Sequence, residues 1–562
     1  MFHRTLAAQP DASRSPHGGW VTTMVKAALA NSLWWLASRR SYAAFATALR
    51  DPAAAQEQVL RSFLRKNAGT AFGREHGLSE ASTPADFASR VPIRNYDDLR
   101  PWMERIRQGE TGVLTAEPVR RLVPSSGSTA ARKLVPYTAS MHWQLNQAID
   151  PWIFDLYRMH PKAVLGVAYW SISPACTQPF GCAEASSIPI GFGDDAAYLG
   201  RWHKRLIDAS MAVPSELKHI TSIEDWRYIT ALLLLGQRDL SVVSVWHPSF
   251  FSLLMQTILD HWIQLLAEIS SGNCAVAKRL PPAARAAIRF RSDPRRSEQL
   301  RSSGPLQIDQ LWPKLEILSC WTDGHAAGAA AELAPSLGSV VVQPKGLIAT
   351  EGVISIPFQH RHPLAIRSHY LEFEDAAGQV HGSSDLQPGH EYNVLLTTGG
   401  GLWRYRLDDR VVVEGMLKRT PSIRFLGKSG QISDRVGEKL SDGFVASVFL
   451  KLFEAARPRP SFAMLAPDMD TRESRYTLYI NADAPLEMCF RLDGLLAANP
   501  HYAYCRQLGQ LCPPRLFRVS DDAYRSYCQR LQAMGTSLGE IKPVGLSRLD
   551  GWSSQLNGHY IE

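Results

Sequence analysis

The chain has 562 residues, of which 45% are hydrophobic and 20% charged, with a formal net charge of +8. This length exceeds one ordinary core, so two or more domains are expected, and the composition excludes a disordered or fibrous chain. The bases are scattered rather than striped along one face, which suits small anionic ligands such as nucleotides and carboxylic acids at least as well as nucleic acid, and no nucleic-acid partner is expected.

The first residues lack the basic-then-apolar pattern of a secretory leader. The most apolar early stretch, Ala27 to Ser38, is about half the length that spans a bilayer, so no transmembrane segment is expected. Lys26 and Arg39-Arg40 bound it. The expected reading is an amphipathic helix packed on the body, in preference to contact with a membrane surface. Ala44 to Asn67 continues at helical spacing, and Asn95 caps a further helix running to about Gln108.

The stretch Ser125-Ser126-Gly127-Ser128-Thr129-Ala130-Ala131-Arg132-Lys133 follows, between two apolar runs. A glycine lets the backbone approach a ligand closely. Backbone N–H groups and hydroxyls can cradle phosphate oxygens, and a nearby cation neutralises them. It lacks the second glycine and Lys-Ser/Thr pair of the common nucleoside-triphosphatase loop. The same composition also suits a polar surface turn.

From about residue 163 the pattern alternates. Ala163–Tyr169, Leu240–Trp246 and Leu315–Trp321 are apolar runs of strand length, with helical stretches Thr221–Leu235 and Phe250–Ser270 between them. The alternation predicts an α/β class. The Arg-rich run Arg289–Arg301 reads as a solvated helix or loop. Residues 339 to 426 are strand-rich, and Gly427–Asp442 changes character, which places a domain junction there. A large domain over residues 1–427, with sheets flanked by helices, and a small mobile α+β domain over residues 428–562 are expected. The cysteines Cys176, Cys182, Cys274, Cys320, Cys489, Cys505, Cys512 and Cys528 form no C-x-x-C pair. They read as reduced, mostly buried thiols of a cytoplasmic protein.

Three later motifs carry chemistry. In Ile348-Ala349-Thr350-Glu351-Gly352, a carboxylate at a strand end can hold Mg²⁺ against a phosphate; a solvated Glu is the plain alternative. In Gly399-Gly400-Gly401-Leu402-Trp403-Arg404-Tyr405-Arg406-Leu407-Asp408-Asp409, a strand ends in paired aspartates. Aspartate can accept from ribose hydroxyls and tyrosine can stack on a base; a hairpin with a surface Asp-Asp turn is the alternative. Lys542 lies on the glycine-rich loop 535–543, where a lysine is ordinarily just solvated. Two patterns are set aside. The acids in Gly191-Phe192-Gly193-Asp194-Asp195-Ala196 would repel a pyrophosphate. His247-Pro248-Ser249 puts a base and a hydroxyl at positions that seldom face each other, with no nucleophile elbow.

In this order the motifs resemble the adenylate-forming enzymes. More narrowly, they resemble the bacterial branch of the auxin-responsive-promoter family of acyl acid-amido synthetases. Tyr96–Trp102 with Arg107–Glu110 is similar to the family's lead-in, Ser125–Pro136 to its phosphate loop, Ala349–Gly352 to its second nucleotide motif and Trp403–Asp409 to its third. Phe425–Lys428 and Gly437–Leu440 resemble the hinge; Asn499–Tyr502, Arg506–Gly509 and the Lys542 loop resemble the C-terminal domain. The resemblance implies ATP-dependent joining of a carboxylic acid to an amine, such as that of an amino acid, using Mg²⁺; a monomer is expected. It assigns ATP contacts to Ser125, Ser126, Gly127, Ser128, Thr129, Ala349, Thr350 and Tyr405, Mg²⁺ to Glu351, ribose to Asp409, and the hinge cation to Lys428. Lys542 becomes the cation that neutralises charge at the α-phosphate. Trp170, Trp246, Phe250, Phe251 and Trp321 are candidates for an acid pocket, with core packing as their alternative. The chain departs from the family at Leu347, where plant members carry a tyrosine, at Asp408, where glycine is usual, and after Lys542, where Pro543 follows directly and the nearest arginine is Arg548. A ligase passing the acyl group to a thiol such as coenzyme A, and a non-catalytic nucleotide-binding protein, fit the same nucleotide motifs.

Overall fold

The computed structural model describes the chain from Gly18 to Ile561 apart from residues 126–132, 172–186, 192–198, 289–290, 306, 325, 429–431, 434, 437, 455, 457–458, 469–473, 521, 535 and 537–540. Ser126, Gly127, Ser128, Thr129, most of the Gly191–Ala196 run, Cys176 and Cys182 lie outside the described residues.

Helices α1 (Gly18–Ala48) and α2 (Pro52–Asn67) open the fold. The helical stretch expected from Ala44 to Asn67 is thus interrupted. Asp51 is non-helical, its carboxylate accepts from Ala54 N, and Pro52 starts the next helix without needing a donor. Two short helices, α3 (Ala71–Glu75) and α4 (Pro84–Arg90), precede α5 (Tyr96–Arg107). Asn95 and Asp98 close a reciprocal capping box at its start, as expected.

Strands β1 (Arg121–Ser125) and β2 (Lys133–Tyr137) pair antiparallel, placing Ser125 opposite Lys133. After α6 (Ala139–Met159) comes β3 (Val167–Trp170), preceded by a 3₁₀ turn over Pro161–Leu165 where strand was expected. The chain then alternates through α7 (Gly200–Ser210), α8 (Ile223–Gly236), β4 (Leu240–Ser244), α9 (Pro248–Asp260), α10 (Trp262–Ser271), β5 (Ile317–Cys320) and β6 (Val341–Pro344). Strands β3 to β6 form one parallel sheet in that order. The two central strands are buried at every residue, as a sheet covered on both faces requires. The Arg-rich run holds a correction. Arg296 is fully buried in the helix Pro294–Ser303 and donates to the carbonyls of Leu235, Gln237 and Leu311. It ties three segments together through a fork that no other side chain offers.

A tight hairpin of β7 (Ile348–Ala349) and β8 (Gly352–Val353) follows. Next come β9 (Tyr370–Glu374), β10 (Val380–Gly382), β11 (Glu391–Thr397), β12 (Tyr405–Leu417) and β13 (Thr420–Lys428), an antiparallel sheet in the order β10-β9-β11-β12-β13. The alternative of a surface Asp-Asp turn does not hold, because Asp408 and Asp409 lie within β12, at an irregularity in its pairing with β11. The triple glycine serves packing. A Cβ on Gly400 would stand 2.6 Å from the Pro136 carbonyl oxygen, and one on Gly401, at φ +103, 2.6 Å from Leu114 Cβ. The glycines therefore let the β11–β12 loop lie close against β2 and the segment at Leu114.

The remaining chain builds β14 (Ile432–Ser433), β15 (Leu440–Ser441), β16 (Ala463–Asp468), β17 (Arg475–Ile480), β18 (Arg515–Val519) and β19 (Gly558–Ile561). The last four form a mixed sheet in chain order, over a core of its own that includes Leu440, Val445, Leu478, Leu492 and Leu516. Glu438 of the hinge motif is fully buried and accepts from the backbone N–H of Arg435 and Val436 and from the Tyr476 hydroxyl. It fixes the entry to this sheet. An α/β chain ending in an α+β unit is the observed class.

Candidate active site

Ser125 closes β1, and Glu351 sits at the tip of the β7–β8 hairpin. The Ser125 hydroxyl donates to Glu351 Oε1 at 2.5 Å across a separation of 226 residues. The hairpin tip is sharp because Ala349 pairs directly with Gly352, leaving Thr350 and Glu351 as a two-residue loop. Gly352 is required there, since a Cβ would stand 2.8 Å from His369 Nε2. Glu351 is buried, which disfavours the plain solvated reading.

Asp409 and Lys428 are direct cross-strand partners of β12 and β13, with Oδ1 and Nζ 3.0 Å apart. Burial pushes the Lys428 ammonium down. The carboxylates of Asp409, Glu351 and Asp408 outweigh that and hold its pKa above the ordinary lysine value. Asp408 has φ +63, in the left-handed region that glycine adopts freely and aspartate tolerates better than most residues. The position where the family usually carries glycine is therefore one that demands a positive φ.

Lys542 reaches the same cleft from the C-terminal part. Its carbonyl accepts from the Tyr527 hydroxyl at 3.0 Å, and four residues on, Leu546 N donates to the buried Asp442 carboxylate at 2.8 Å. The chain is thus pinned at the lysine and shortly after it. Nζ stands 4.7 Å from the Trp321 ring centroid. Surrounding protein lowers its pKa first and the Lys428 charge second, with Asp409 and Glu351 opposing. Arg548, the nearest arginine after Lys542 in sequence, is exposed, as Lys542 is, and its backbone carbonyl accepts from Arg435.

The aromatic candidates divide. Trp170 ends β3, Trp246 lies just beyond β4 and Trp321 just beyond β5. All three therefore stand at the carboxyl edge of the parallel sheet, where open α/β sheets bind ligands. Phe251 is buried in the core built around α8, α9 and β4, whereas Phe250 is half-buried against that core, as Trp170 and Trp321 are against the neighbouring one. Tyr405 is also corrected. It is only 2% exposed, so it offers no face for base stacking; its hydroxyl lies 3.4 Å from Lys133 Nζ.

Of two further residues at this edge, Lys345 escaped the sequence reading and His247 was set aside by it. Lys345, just beyond β6, is buried, donates to Ser244 Oγ at 2.9 Å and stands 4.6 Å from the Trp246 ring centroid. Its only sequence signal was a cation between Pro344 and Gly346 in an apolar run. His247 Nδ1 lies 2.7 Å from Ser249 Oγ, so the adjacent pair does meet, in the cap of α9. Burial, with a further push from the Lys542 charge, lowers the His247 pKa to about 3. A neutral ring in this capping geometry is a local anchor rather than a nucleophile's base.

One carboxylate beside a hydroxyl, an aspartate held by a lysine, and a second lysine facing both suit a polyphosphate ester with a divalent cation. Among the described residues no set of three or more His, Cys, Asp or Glu side chains could hold a metal by itself. Glu351 alone fits Mg²⁺ in the usual mode, in which substrate phosphates and water supply the other ligands.

The chain matches the descriptions GH3 family N-terminal domain over residues 41–339, GH3 family central domain over 362–428 and GH3 family C-terminal domain over 451–549. It is 27% identical over 436 residues to a probable indole-3-acetic acid-amido synthetase, GH3.12, of Oryza sativa subsp. japonica, covering 68% of this chain and 70% of that one. A solved structure of AtGH3.15 acyl acid amido synthetase in complex with 2,4-DB superposes with a TM-score of 0.79 at 18% identity, over 92% of this chain and 96% of that one. A 2-hydroxyisobutyryl-CoA ligase in the postadenylation state superposes at 0.51 and 11% identity, over 86% of this chain and 94% of that one. This chain belongs to the GH3 family.

Proposed function

We propose that this protein is an ATP-dependent acyl acid-amido synthetase that adenylates a carboxylic acid and passes the acyl group to an amine, such as that of an amino acid. The observation that supports it most is the convergence on one cleft of Ser125, Glu351, Asp409, Lys428 and Lys542, which come from four separate segments. The names of the relatives point the same way.

A carboxylate is a poor electrophile because its leaving group is oxide. Its attack on the α-phosphate breaks the bond to pyrophosphate and gives an acyl adenylate. Amine attack on that carbonyl then forms the amide; AMP leaves with the electron pair and the ammonium proton passes to solvent. The protein's part is positioning and charge neutralisation. Asp409 accepts from the ribose hydroxyls. Lys428, held in its charged form, stands beside the phosphates, and Lys542 meets charge developing at the α-phosphate. Ser125 and the loop Ser126-Gly127-Ser128-Thr129 donate to phosphate oxygens, with Ala349 and Thr350 forming the facing wall. Glu351 would hold Mg²⁺, which supplies neutralisation of phosphate charge. The acid enters beside Trp170, Trp246 and Trp321. Residues 428–562 act as the mobile part that carries Lys542 against residues 1–427. A cytoplasmic monomer suits this chemistry.

ATP–pyrophosphate exchange over a panel of carboxylic acids, followed by mass spectrometry of products formed with amino acids or with coenzyme A, tests the reading. Acid-dependent exchange with an amide product is expected. A thioester alone would move the acceptor to the thiol class. ATP binding without exchange for any acid would leave a nucleotide-binding protein.

A further inference from the structure

Helix α1 has two apolar faces. Ala27, Ala30, Asn31, Trp34, Ser38 and Phe45 are buried against the body, and Asn31 is fixed there by hydrogen bonds to the Val164 and Gly166 carbonyls. The sequence expectation of a helix packed on the body holds for that face. On the opposite face Val25, Leu29, Leu33 and Leu36 are 45%, 59%, 50% and 65% exposed. Spacings of four, four and three place them in one line.

The charge around this line has one sign. No Asp or Glu occurs anywhere in α1. Lys26, Arg39 and Arg40 are exposed beside the line and make no ion pair among the described residues. Helix α7 packs alongside α1, with His203 edge-on to Trp34 at 5.7 Å. Its outer side presents Arg201, Trp202 and Arg205, all exposed, while its one acid, Asp208, is paired with Lys204. Leucines in a line, an exposed tryptophan and a cationic border are the composition of a helix that lies in a lipid headgroup layer. No helix of the described residues is long and apolar enough to cross a membrane, so such a helix would rest on the surface.

We propose that the outer face of α1, with the adjoining side of α7, docks on the surface of an anionic lipid bilayer. Val25, Leu29, Leu33 and Leu36 enter the headgroup boundary, and Lys26, Arg39, Arg40, Arg201 and Arg205 meet lipid phosphates. Charge complementarity selects this occupant. A second copy of the chain on the same face would set Arg39 and Arg40 against their equals, and a neutral apolar partner would leave the cationic border desolvated without a counter-charge.

The test is flotation of the full chain with vesicles of phosphatidylcholine alone or with one third phosphatidylglycerol. Binding to the anionic vesicles only, weakening as salt rises, is expected. Leu29→Ser/Leu33→Ser and, separately, Arg39→Gln/Arg40→Gln should each lower the bound fraction at least tenfold. Both should keep the wild-type melting temperature and nucleotide binding in solution. The paired variants guard against a misfolded one. Absence of binding, equal binding to both vesicle types, or retention of binding in the folded variants would overturn the proposal. So would a dimer in light scattering that Leu29→Ser/Leu33→Ser dissolves, because the face would then belong to a second copy.

Discussion

Asp409 and Lys428 face each other across β12 and β13 with 3.0 Å between Oδ1 and Nζ. The pair puts a buried acceptor and a cation side by side. If Asp409 takes the ribose, Asp409→Ala removes a charge-assisted hydrogen bond worth roughly 1.5–3 kcal/mol. The dissociation constant for ATP should then rise about ten- to a hundred-fold. The constant for inorganic pyrophosphate, which has no ribose, should stay within about twofold. Calorimetry on both ligands checks this; equal losses would assign Asp409 to the phosphates.

The motifs that the fold brings together are those whose chemistry depends on residue type and local backbone. Glu351 belongs to a two-residue hairpin tip, and Asp408 occupies a left-handed position that the family normally gives to glycine. What failed depended on distant packing. Tyr405 looked available for stacking, but it is buried, with its hydroxyl 3.4 Å from Lys133 Nζ. Arg296 lost its solvated appearance because the carbonyls it satisfies lie up to 61 residues away. Lys345 has no motif around it, and only the assembled sheet edge sets it beside Trp246. The outer leucines of α1 show the same limit. Periodicity revealed a helix but not that apolar residues would occupy both of its sides.

Glu351→Gln keeps the shape of the hairpin tip and a partner for the Ser125 hydroxyl while removing the charge. Pyrophosphate exchange should fall by at least about a hundred-fold at limiting Mg²⁺, the magnitude expected when a preorganised charge is lost. The melting temperature should change little. Partial recovery at raised Mg²⁺ would agree with a metal-holding role, whereas wild-type exchange at limiting Mg²⁺ would exclude it.

At Asp408 the backbone sets the outcome. With φ +63, a β-branched residue there pays the full steric cost of the left-handed region, about 1–2 kcal/mol, whereas glycine pays none. Asp408→Val should lower stability by that amount in urea unfolding. Asp408→Gly should match or exceed the natural chain. ATP affinity should survive Asp408→Gly, because Asp409 stays in register with Lys428.

Lys542→Ala should depress adenylate formation far more than ATP affinity, because the lysine would act on charge that develops in the transition state. Single-turnover appearance of the adenylate, beside ATP binding, separates the two; equal losses would make Lys542 a ground-state phosphate contact. The pH profile adds a second reading. Surrounding protein and then Lys428 lower the Lys542 pKa, so the ammonium is lost below the ordinary lysine range. The alkaline fall in adenylation should accordingly begin below that range, and Lys428→Met, by removing the like charge, should move it upward.

Acid stability rests on two buried neutral rings. Burial lowers the pKa of His369 to about 3, and burial with the Lys542 charge lowers His247 to about 3. His369 donates from Nδ1 to Gln144 Oε1 at 3.0 Å, and the same oxygen accepts from Gly399 N at 3.1 Å, so the neutral ring is built into the packing of the β11–β12 loop. In the unfolded chain both rings titrate near pH 6.5. Between about pH 6.5 and pH 3 the unfolded state therefore binds more protons than the folded one, and stability rises with pH across that window. Each histidine contributes a slope of up to about 1.4 kcal/mol per pH unit. Urea midpoints between pH 7 and pH 4 should fall as pH falls. His369→Asn, which keeps a donor for Gln144, should lower stability at pH 7 through lost packing yet flatten the acid slope by about one proton. An unchanged slope in that variant would show that His369 is protonated in the folded protein, in conflict with its enclosure behind Gly352 and Gln144.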